Sequence, residues 1–432
     1  MLRSVRNASA ISLVVCAVAV VAKAQAEPQV SVEAVDSIDE SNVAAWWSPI
    51  AADPADGSIY ATYLRPHPTR DRDHDVYLAR RNATGQWSTV DTGGDAWHDP
   101  GHTQASIAID GDGYTHLFYG MHTGPLRYRR SVAPRRPNAG FEQLFPDALV
   151  DGDYTYPNLT TAPNGDVFLG IRDYPDGEFY RYDVESEQWS LIGVYAEQEG
   201  TTVYPDHFFA DAEGNIHVIW EWAAGQAQAA RHNGSYALYH PDSDMYTRAD
   251  GTEYNKLPIS MEDADIMQPV EGNETFERGV HGYQSAKLTV DDQNRPIVAY
   301  AYSMNQQADG YEFRLARWDG QQWQRQTVVP GPFSLDKPWV TFSNGQIRYY
   351  GTVSPSDPLH TGSDDIFLRT SDDYGQTWSE PVQITDGMSV QRPIGVTHDG
   401  VDYLYLPSMN DHMLYVACVV PADPASMTTY AE

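Results

Sequence analysis

The chain has 432 residues, of which 60 are acidic and 28 basic, so its formal net charge at pH 7 is -32. An acidic surface of this kind makes nucleic acid and anionic membranes poor partners for the protein as a whole. Hydrophobic residues make up 41% of the sequence and aromatic residues 12%, which is enough for a large core.

The first 26 residues have the three parts of a secretory signal peptide. Arg3 and Arg6 form a basic start, residues 11–21 are apolar, and residues 24–26 (Ala-Gln-Ala) form a small-x-small cleavage site. The apolar segment is shorter than the roughly 20 residues that a membrane-spanning helix needs. We therefore predict that residues 1–26 are removed and that the mature protein is secreted, either outside the cell or into the periplasm.

One pattern occurs seven times along the chain: a polar or aromatic residue, a short strand, a turn and a second, apolar strand. In the stretch from His102 to His122, the segments ASIAID and YTHLFYGM alternate in polarity and are joined by the turn GDG. The other instances begin at Trp47, Tyr156, Tyr204, Tyr283, Trp339 and Arg392. Their turns lie about 50 residues apart, except across an insertion at about 223–280.

After most of these hairpins, a third strand is followed by a segment that ends in a turn and a Trp, as at Trp87, Trp189 and Trp323. Residues 371–378, SDDYGQTW, fit the S-x-D-x-G-x-T-W turn known as the Asp box, which is a structural motif. Four short strands in each of seven units predict an all-β fold, a seven-bladed β-propeller of four-stranded antiparallel blades.

We expect a single propeller domain over residues 27–432. The strand-like residues 29–35 are expected to pair with residues 414–420 in the last blade and so close the ring.

The repeat alignment also predicts a rim of functional residues. In a propeller the first strand of each blade lines the central channel, so first-strand starts and second-strand ends face one mouth. This places His102, His122, Tyr156 and Arg172 at adjoining positions.

These residue types favour proton abstraction beside a carboxylate. Arg172 can neutralise a uronate carboxylate with His122 as a second donor, neutral His102 is a natural base, and Tyr156 is a natural acid. Neighbouring cations are also expected to lower the pKa of Tyr156 enough for it to act as a base. The reaction is β-elimination, which needs no cofactor. Which of the two histidines is the base stays open.

The runs GHTQASIAIDGDGYTHLFYGMHTGPLRYRRS, YTYPN, GIRD, YPDH and IHVIWEW resemble those of BNR-4 type propellers. Among these, the chain is most similar to the ulvan lyases of polysaccharide lyase families 24 and 25, with family 25 preferred. The resemblance covers the whole mature chain and implies cleavage of ulvan between rhamnose 3-sulfate and a uronate.

The resemblance also implies residue roles. His102 matches the catalytic His, and Tyr156 matches a Tyr that acts as acid and, for one uronate epimer, as base. Arg172 and His122 match the residues that neutralise the carboxylate. The substrate-binding candidates are Tyr204, Tyr283, Arg65 and Arg127, the two arginines by their charge toward sulfate. A structural divalent metal, zinc or calcium, is implied as well, with His207 as the candidate ligand.

Two other functions fit parts of the pattern. A sialidase-like glycoside hydrolase would share the Asp box and use Arg65, Arg172 and Arg392, but no Tyr–Glu nucleophile pair can be placed. Glu221 is the one carboxylate opposite the His/Tyr group, and no G-x-S-x-G elbow is present, so hydrolysis and acyl transfer lack support. A non-catalytic carbohydrate-binding propeller would need only the aromatic rim.

We expect a monomer that binds a sulfated uronate polysaccharide. The preferred uronate and the choice of endo or exo action stay open.

Overall fold

A computed structural model of the protein describes residues 27–39, 42, 47–99, 101–144, 149, 151–333, 337–352, 365–390, 392–408 and 410–421. The predicted signal peptide, residues 1–26, lies outside them. The described residues form seven small antiparallel sheets, which are the blades of a β-propeller. The predicted fold class and the predicted number of blades are confirmed.

The strands run from blade to blade in chain order. Strand β1 (Gln29–Ser37) precedes the first blade. Blade one has β2 (Ile50–Ala52), β3 (Ile59–Pro66), β4 (Asp73–Arg81) and β5 (Trp87–Trp97); blade two has β6 (Ser106–Ile109), β7 (Thr115–Phe118), β8 (Tyr128–Ser131) and β9 (Phe141–Gln143), with a 3-10 turn at Pro137–Ala139. Blade three has β10 (Tyr154–Thr161), β11 (Val167–Asp173), β12 (Asp176–Asp183) and β13 (Gln188–Ala196).

Blade four has β14 (Thr201–Ala210), β15 (Ile216–Ala224), β16 (His232–His240), β17 (Met245–Thr247) and β18 (Asp265–Gln268). Blade five has β19 (Tyr283–Val290), β20 (Pro296–Ser303), β21 (Tyr311–Trp318) and β22 (Trp323–Phe333). Blade six has β23 (Trp339–Ser343), β24 (Gln346–Gly351), β25 (Phe367–Ser371) and β26 (Val382–Gln383); blade seven has β27 (Ile394–His398), β28 (Val401–Ser408) and β29 (Met413–Val420).

The first strands of the blades form the inner ring of the propeller. Strands β2, β6, β10, β14, β19, β23 and β27 each contact the first strand of the next blade, and β27 contacts β2. The strands nearer the channel are almost wholly buried, as in β20, whereas outer strands such as β13 alternate between exposed and half-buried residues. This gradient places the core between the sheets and leaves loop residues to form the two mouths of the channel.

The ring is closed by β1, which pairs antiparallel with β29 in the register Gln29 with Val420 through Ser37 with Met413. The predicted closing pair is therefore confirmed. Because the first strand of the chain completes the last blade, blade seven has four strands, as have all the other blades except the five-stranded blade four.

The Trp residues at the unit ends pack between neighbouring blades. Trp189 of blade three lies 5.5 Å from the ring of Phe118 in blade two, edge to face. In the Asp box, Asp373 accepts hydrogen bonds from the backbone N–H and hydroxyl of Thr377 at 2.8 and 2.6 Å, which holds the turn before Trp378.

The segment 223–280, which the repeat spacing predicted to be an insertion, contains two of the regular strands of blade four. Strands β16 and β17 lie in this segment and are the third and fourth strands of the blade, while β18 pairs with β16 as an additional strand. The residues added to the repeat therefore lie after β17. No helix in the described residues is long and apolar enough to cross a membrane.

Candidate active site

Tyr156 is placed by a β-bulge in the innermost strand of blade three. The register between β10 and β11 shifts between Thr155 and Asn158, so Tyr156 and Pro157 together face Ile171. The backbone of Tyr156 has a φ of 60°, in the left-handed region that residues other than glycine seldom adopt. A bulge of this kind redirects a side chain out of the strand's regular alternation.

Arg172 comes from the partner strand, where it pairs with Thr155. Its guanidinium carbon lies 4.8 Å from the ring centroid of Tyr156 and 4.9 Å from that of Tyr204. The side chain is 1% exposed, and its Nε and Nη1 atoms have no hydrogen-bond partner among the residues that the structure describes. A buried cation with unsatisfied donors is costly, and an anionic ligand would satisfy them.

His102 and His122 lie against each other, as the hairpin of blade two predicted. Their ring centroids are 3.7 Å apart and their planes differ by 5°. His102 also lies 5.9 Å from the ring of Tyr156. The loop that carries His122 is tied to blade three because the backbone N–H of Thr123 donates to the hydroxyl of Thr155 at 2.8 Å.

Both histidines bind one carboxylate, that of Asp99. Nδ1 of His102 lies 2.8 Å from Oδ1 of Asp99, and Nδ1 of His122 lies 2.7 Å from Oδ2. An ionised carboxylate only accepts hydrogen bonds, so both Nδ1 atoms carry hydrogen, and a neutral imidazole here has its lone pair on Nε2. Asp99 therefore fixes the tautomer and the orientation of both rings.

Asp99 was not predicted as a site residue from the sequence. Its main-chain oxygen accepts hydrogen bonds from the N–H of His102 at 2.9 Å and from the hydroxyl of Thr103 at 3.1 Å, which hold His102 and Thr103 close to Asp99. An Asp three residues before a His, with Pro and Gly between them, was the available signal.

The pKa values of His102 and Tyr156 are shifted in opposite directions, and both shifts affect what these groups can do chemically. Burial lowers the pKa of His102 below its usual value, although the hydrogen bond to Asp99 opposes the change. His102 is therefore neutral at pH 7. Burial raises the pKa of Tyr156 to about 12, against the opposing effect of Arg231 and Arg172. The expectation that neighbouring cations bring the pKa of Tyr156 down is not met, because desolvation of the phenolate outweighs their attraction.

Tyr204 packs against Tyr156 and extends the group of aromatic side chains around Arg172. Its ring lies 5.5 Å from that of Tyr156, and the guanidinium of Arg231 lies 3.6 Å from its centroid. Arg231 in turn donates to Glu221 at 2.5 Å, and Glu221 also accepts the backbone N–H of Ser285 at 2.8 Å. Glu221, the one acidic rim residue that the sequence suggested, is therefore buried in an ion pair. Arg231, which lies in the predicted insertion, was not identified from the sequence.

The two arginines expected to bind sulfate form ion pairs of their own. Arg65 lies 3.4 Å from Asp36 and stacks over Tyr77, while Arg127 lies 2.5 Å from Asp95. Both are partly exposed. An acid already compensates each charge, and neither residue is part of the group formed by the histidines, Tyr156 and Arg172.

Tyr283 and His207 are placed in the interior. Tyr283 is fully buried, with its ring 5.0 Å from that of Tyr300. Nδ1 of His207 accepts the backbone N–H of Leu288 at 3.0 Å, and burial lowers the pKa of His207 to about 3. In the described residues, His207 belongs to neither of the two groups of side chains that could hold a metal ion. Its position gives metal binding no support.

Residues 44–330 match the family described as BNR repeat-containing family member, BNR_4. The chain belongs to this family. The predicted resemblance to BNR-4 type propellers is thereby confirmed. A comparison with curated proteins found no match.

Solved structures with the same fold include polysaccharide lyases. The polysaccharide lyase Uly1 is 18% identical, with a TM-score of 0.67 over 87% of this chain and 90% of its own. An ulvan lyase of family PL25 is 17% identical, with a TM-score of 0.67 over 92% of this chain and 98% of its own. The lectin BP39L from Burkholderia pseudomallei is 12% identical, with a TM-score of 0.53 over 87% of this chain and 97% of its own. At these identities the likeness concerns the fold.

Proposed function

We propose that this BNR_4 propeller is a secreted polysaccharide lyase that cleaves ulvan by β-elimination at the uronate, between rhamnose 3-sulfate and the uronic acid. The observation that carries the proposal is the buried guanidinium of Arg172. It has two unpartnered donors among the described residues and lies against a phenol that is itself in contact with an imidazole pair. Such a group suits a sugar that carries a carboxylate beside its reacting carbon.

The first requirement of the reaction is charge neutralisation. Removing the proton α to a carboxylate builds a second negative charge on the substrate, and a cation at the carboxylate lowers that cost. Arg172 can meet both carboxylate oxygens, because its planar guanidinium presents donors in a fork. Nε2 of His122 supplies a further donor when that ring is protonated.

The second requirement is a base and an acid. Nε2 of His102 removes the proton from C5 of the uronate, because burial keeps this imidazole neutral. The electrons of the C5–H bond form the C4–C5 double bond, and the C4–O4 bond breaks. The hydroxyl of Tyr156, whose pKa is raised to about 12, gives its proton to the departing O4. No water is consumed, and the product has an unsaturated uronate end.

The choice of ulvan is supported by the solved relatives. One solved structure of a PL25 ulvan lyase is bound to -[GlcA(1-4)Rha3S]-. That lyase is 16% identical to our chain, with a TM-score of 0.64 over 93% of our chain and 100% of its own. That ligand contains a uronate linked to a sulfated rhamnose. A ligand of this kind would bring a carboxylate to Arg172. Arg65 and Arg127 remain proposed contacts for sulfate, and binding there would require each arginine to give up or share its present acidic partner.

The test is incubation of the purified mature chain with ulvan, followed by the ultraviolet absorbance of the unsaturated uronate and by a reducing-end assay. A lyase gives both signals. Reducing ends without the chromophore would show hydrolysis, and binding without either signal would show a lectin; either result would refute the proposal. Tyr156→Phe should remove the activity, whereas Tyr154→Phe, the same change two residues away in β10, should retain it.

A further inference from the structure

Trp97 differs from the other tryptophans of the protein in its exposure. It is 54% exposed, whereas every other tryptophan that the structure describes is buried or half-buried. The residue ends β5, where it pairs with Asp73 of β4. Single exposed apolar side chains are common on protein surfaces, so the meaning of this one depends on what surrounds it.

The indole lies beside the candidate active site. Two residues after Trp97 comes Asp99, whose carboxylate binds both imidazoles. The hydroxyl of Thr103 donates to the carbonyl of Trp97 at 2.7 Å and to that of Asp99 at 3.1 Å, and Thr103 directly follows His102. The backbone of Trp97 is therefore held next to the proposed base, and a polysaccharide bound at His102 can reach the indole.

An exposed arginine accompanies the indole. The guanidinium carbon of Arg72 lies 5.3 Å from the ring centroid of Trp97, and the carbonyl of Arg72 accepts the N–H of His98 at 2.8 Å. Arg65 and Arg127 each form an ion pair with an aspartate, but Arg72 forms none with the residues that the structure describes. Arg72 is therefore better placed than either of them to meet an anionic ligand.

A surface cavity of about 630 Å³ lies next to this arginine. Its size falls within the range of about 300–1,000 Å³ that is typical of ligand sites. Two of the three carboxylates that line it have partners: Asp39 lies 2.6 Å from Nε2 of His74, and Asp73 lies 3.3 Å from Nε of Arg70. The third, Asp71, is exposed. Anion binding on this side of the active site therefore depends on the arginine beside the indole.

The blade-three side of the active site has the opposite charge. Residues 151–153 and 173–176 contain no basic residue and four acidic ones, Asp151, Asp153, Asp173 and Asp176. The backbone N–H of Asp153 donates to Asp173 at 2.6 Å, which brings the two segments together. Burial, Glu197 and Asp173 raise the pKa of Asp176 to about 6, so these carboxylates repel further negative charge. A polyanion is therefore favoured over blade one and disfavoured here.

We propose that Trp97 and Arg72 form a sugar-binding subsite for the anionic polysaccharide, at a unit beyond the uronate that reacts. The indole packs against the apolar C–H face of one pyranose ring, and the guanidinium binds an anionic group of the same chain, either a sulfate ester or a carboxylate. The subsite directs the bound chain over blade one. This inference rests on the proposed function, because it takes the substrate to be ulvan.

Trp97→Ala tests the platform. We expect the KM for ulvan to rise roughly tenfold while kcat changes less than about twofold, because the contact is made equally in the ground state and the transition state. Trp97→Phe keeps an aromatic ring and should stay within about threefold of the wild-type KM. Leu191→Ala, which removes another exposed apolar side chain in β13, is the matched control and should keep the wild-type KM. An unchanged KM in Trp97→Ala would overturn the proposal, as would a fall in kcat alone, which would show that Trp97 only supports Asp99.

Arg72→Gln tests the anion contact. The KM for ulvan should rise about three- to tenfold, whereas Lys256→Gln, which removes an exposed cation after β17, should leave it unchanged. Equal KM values in Arg72→Gln and the wild type would refute this contact. Desulfated ulvan, used as a competitor, identifies the anion: a Ki that rises in Arg72→Gln assigns it to a uronate carboxylate, and a Ki that does not rise assigns it to sulfate.

Binding separates a failure of this subsite from a failure of the proposed function. If the wild type does not cleave ulvan, the proposed function fails, and the Kd of the uncleaved polymer can be measured directly by titration calorimetry. A Kd roughly tenfold higher in Trp97→Ala than in the wild type would then still support the subsite. Equal Kd values, or no binding to the wild type, would refute it. Circular dichroism and Tm should match the wild type in each variant, because both side chains are exposed.

Discussion

Replacing Asp99 by Asn keeps the size of the side chain but removes one of its two acceptor oxygens. The carboxylate now accepts from Nδ1 of His102 at 2.8 Å and from Nδ1 of His122 at 2.7 Å. The amide of Asn can accept from one of them, and its NH2 group then faces the Nδ1–H of the other. That second imidazole must rotate or take the opposite tautomer, which puts hydrogen on the Nε2 atom that the proposed mechanism uses.

The expected loss of activity in Asp99→Asn can be calculated from the one hydrogen bond that the substitution removes. A hydrogen bond to a charged group contributes about 1.5–3 kcal/mol, and the lower end applies here because the three side chains are about a third exposed. Since about 1.4 kcal/mol corresponds to a factor of ten, kcat/KM on ulvan should fall roughly 10- to 100-fold. Asp112→Asn, an exposed position in the same blade, is the matched control and should keep full activity.

The pH profile separates this positioning role from a general loss of structure. The hydrogen bond and charge of Asp99 raise the pKa of His102 and so partly offset the lowering by burial. Without the carboxylate this pKa falls further, so the base stays unprotonated to lower pH and the acidic limb of kcat/KM moves to lower pH. Unchanged activity in Asp99→Asn, or a loss of activity with the acidic limb unmoved, would refute the reasoning.

Three further variants test the site and the fold. Tyr156→Phe should lose at least 100-fold in kcat with an unchanged circular dichroism spectrum; activity near that of the wild type would remove Tyr156 from the mechanism. Arg172→Ala should lower kcat, and a rise in KM alone would limit Arg172 to binding. Arg348→Ala removes the cation and the two hydrogen bonds, each of 2.6 Å, that Arg348 donates to the buried carboxylate of Asp402, which keeps only those from the hydroxyls of Tyr350 and Thr397. It should lower the free energy of unfolding by about 3–5 kcal/mol in chemical denaturation, and a change below about 1 kcal/mol would contradict this.

The blade architecture could be predicted because each repeat carries its own local pattern. Alternating polarity, a turn glycine and a terminal Trp specify a strand pair within some 20 residues, and seven such units must stack to cover their apolar faces. Equivalent positions in neighbouring repeats then share a rim. This explains why His102, His122, Tyr156 and Arg172 were found as a group.

The expectations that rested on charge alone were less informative. Arg65 and Arg127 were chosen as cations for sulfate, yet each lies beside an aspartate that comes from a distant part of the sequence. Glu221 is also paired, with Arg231 ten residues later in the chain. Composition counts charges but does not say which of them neutralise one another, because ion pairs form between strands whose register is set only in the folded sheet.

The sequence by itself determined the number of blades, the strand that closes the ring and the adjoining positions of His102, His122, Tyr156 and Arg172, because all of these follow from short-range periodicity. The tertiary structure alone decided that Asp99 joins two imidazoles and that Tyr156 points out of a bulge beside a buried guanidinium. These contacts depend on how loops from different blades meet and on how deeply each group is desolvated, and neither property is encoded within a single repeat.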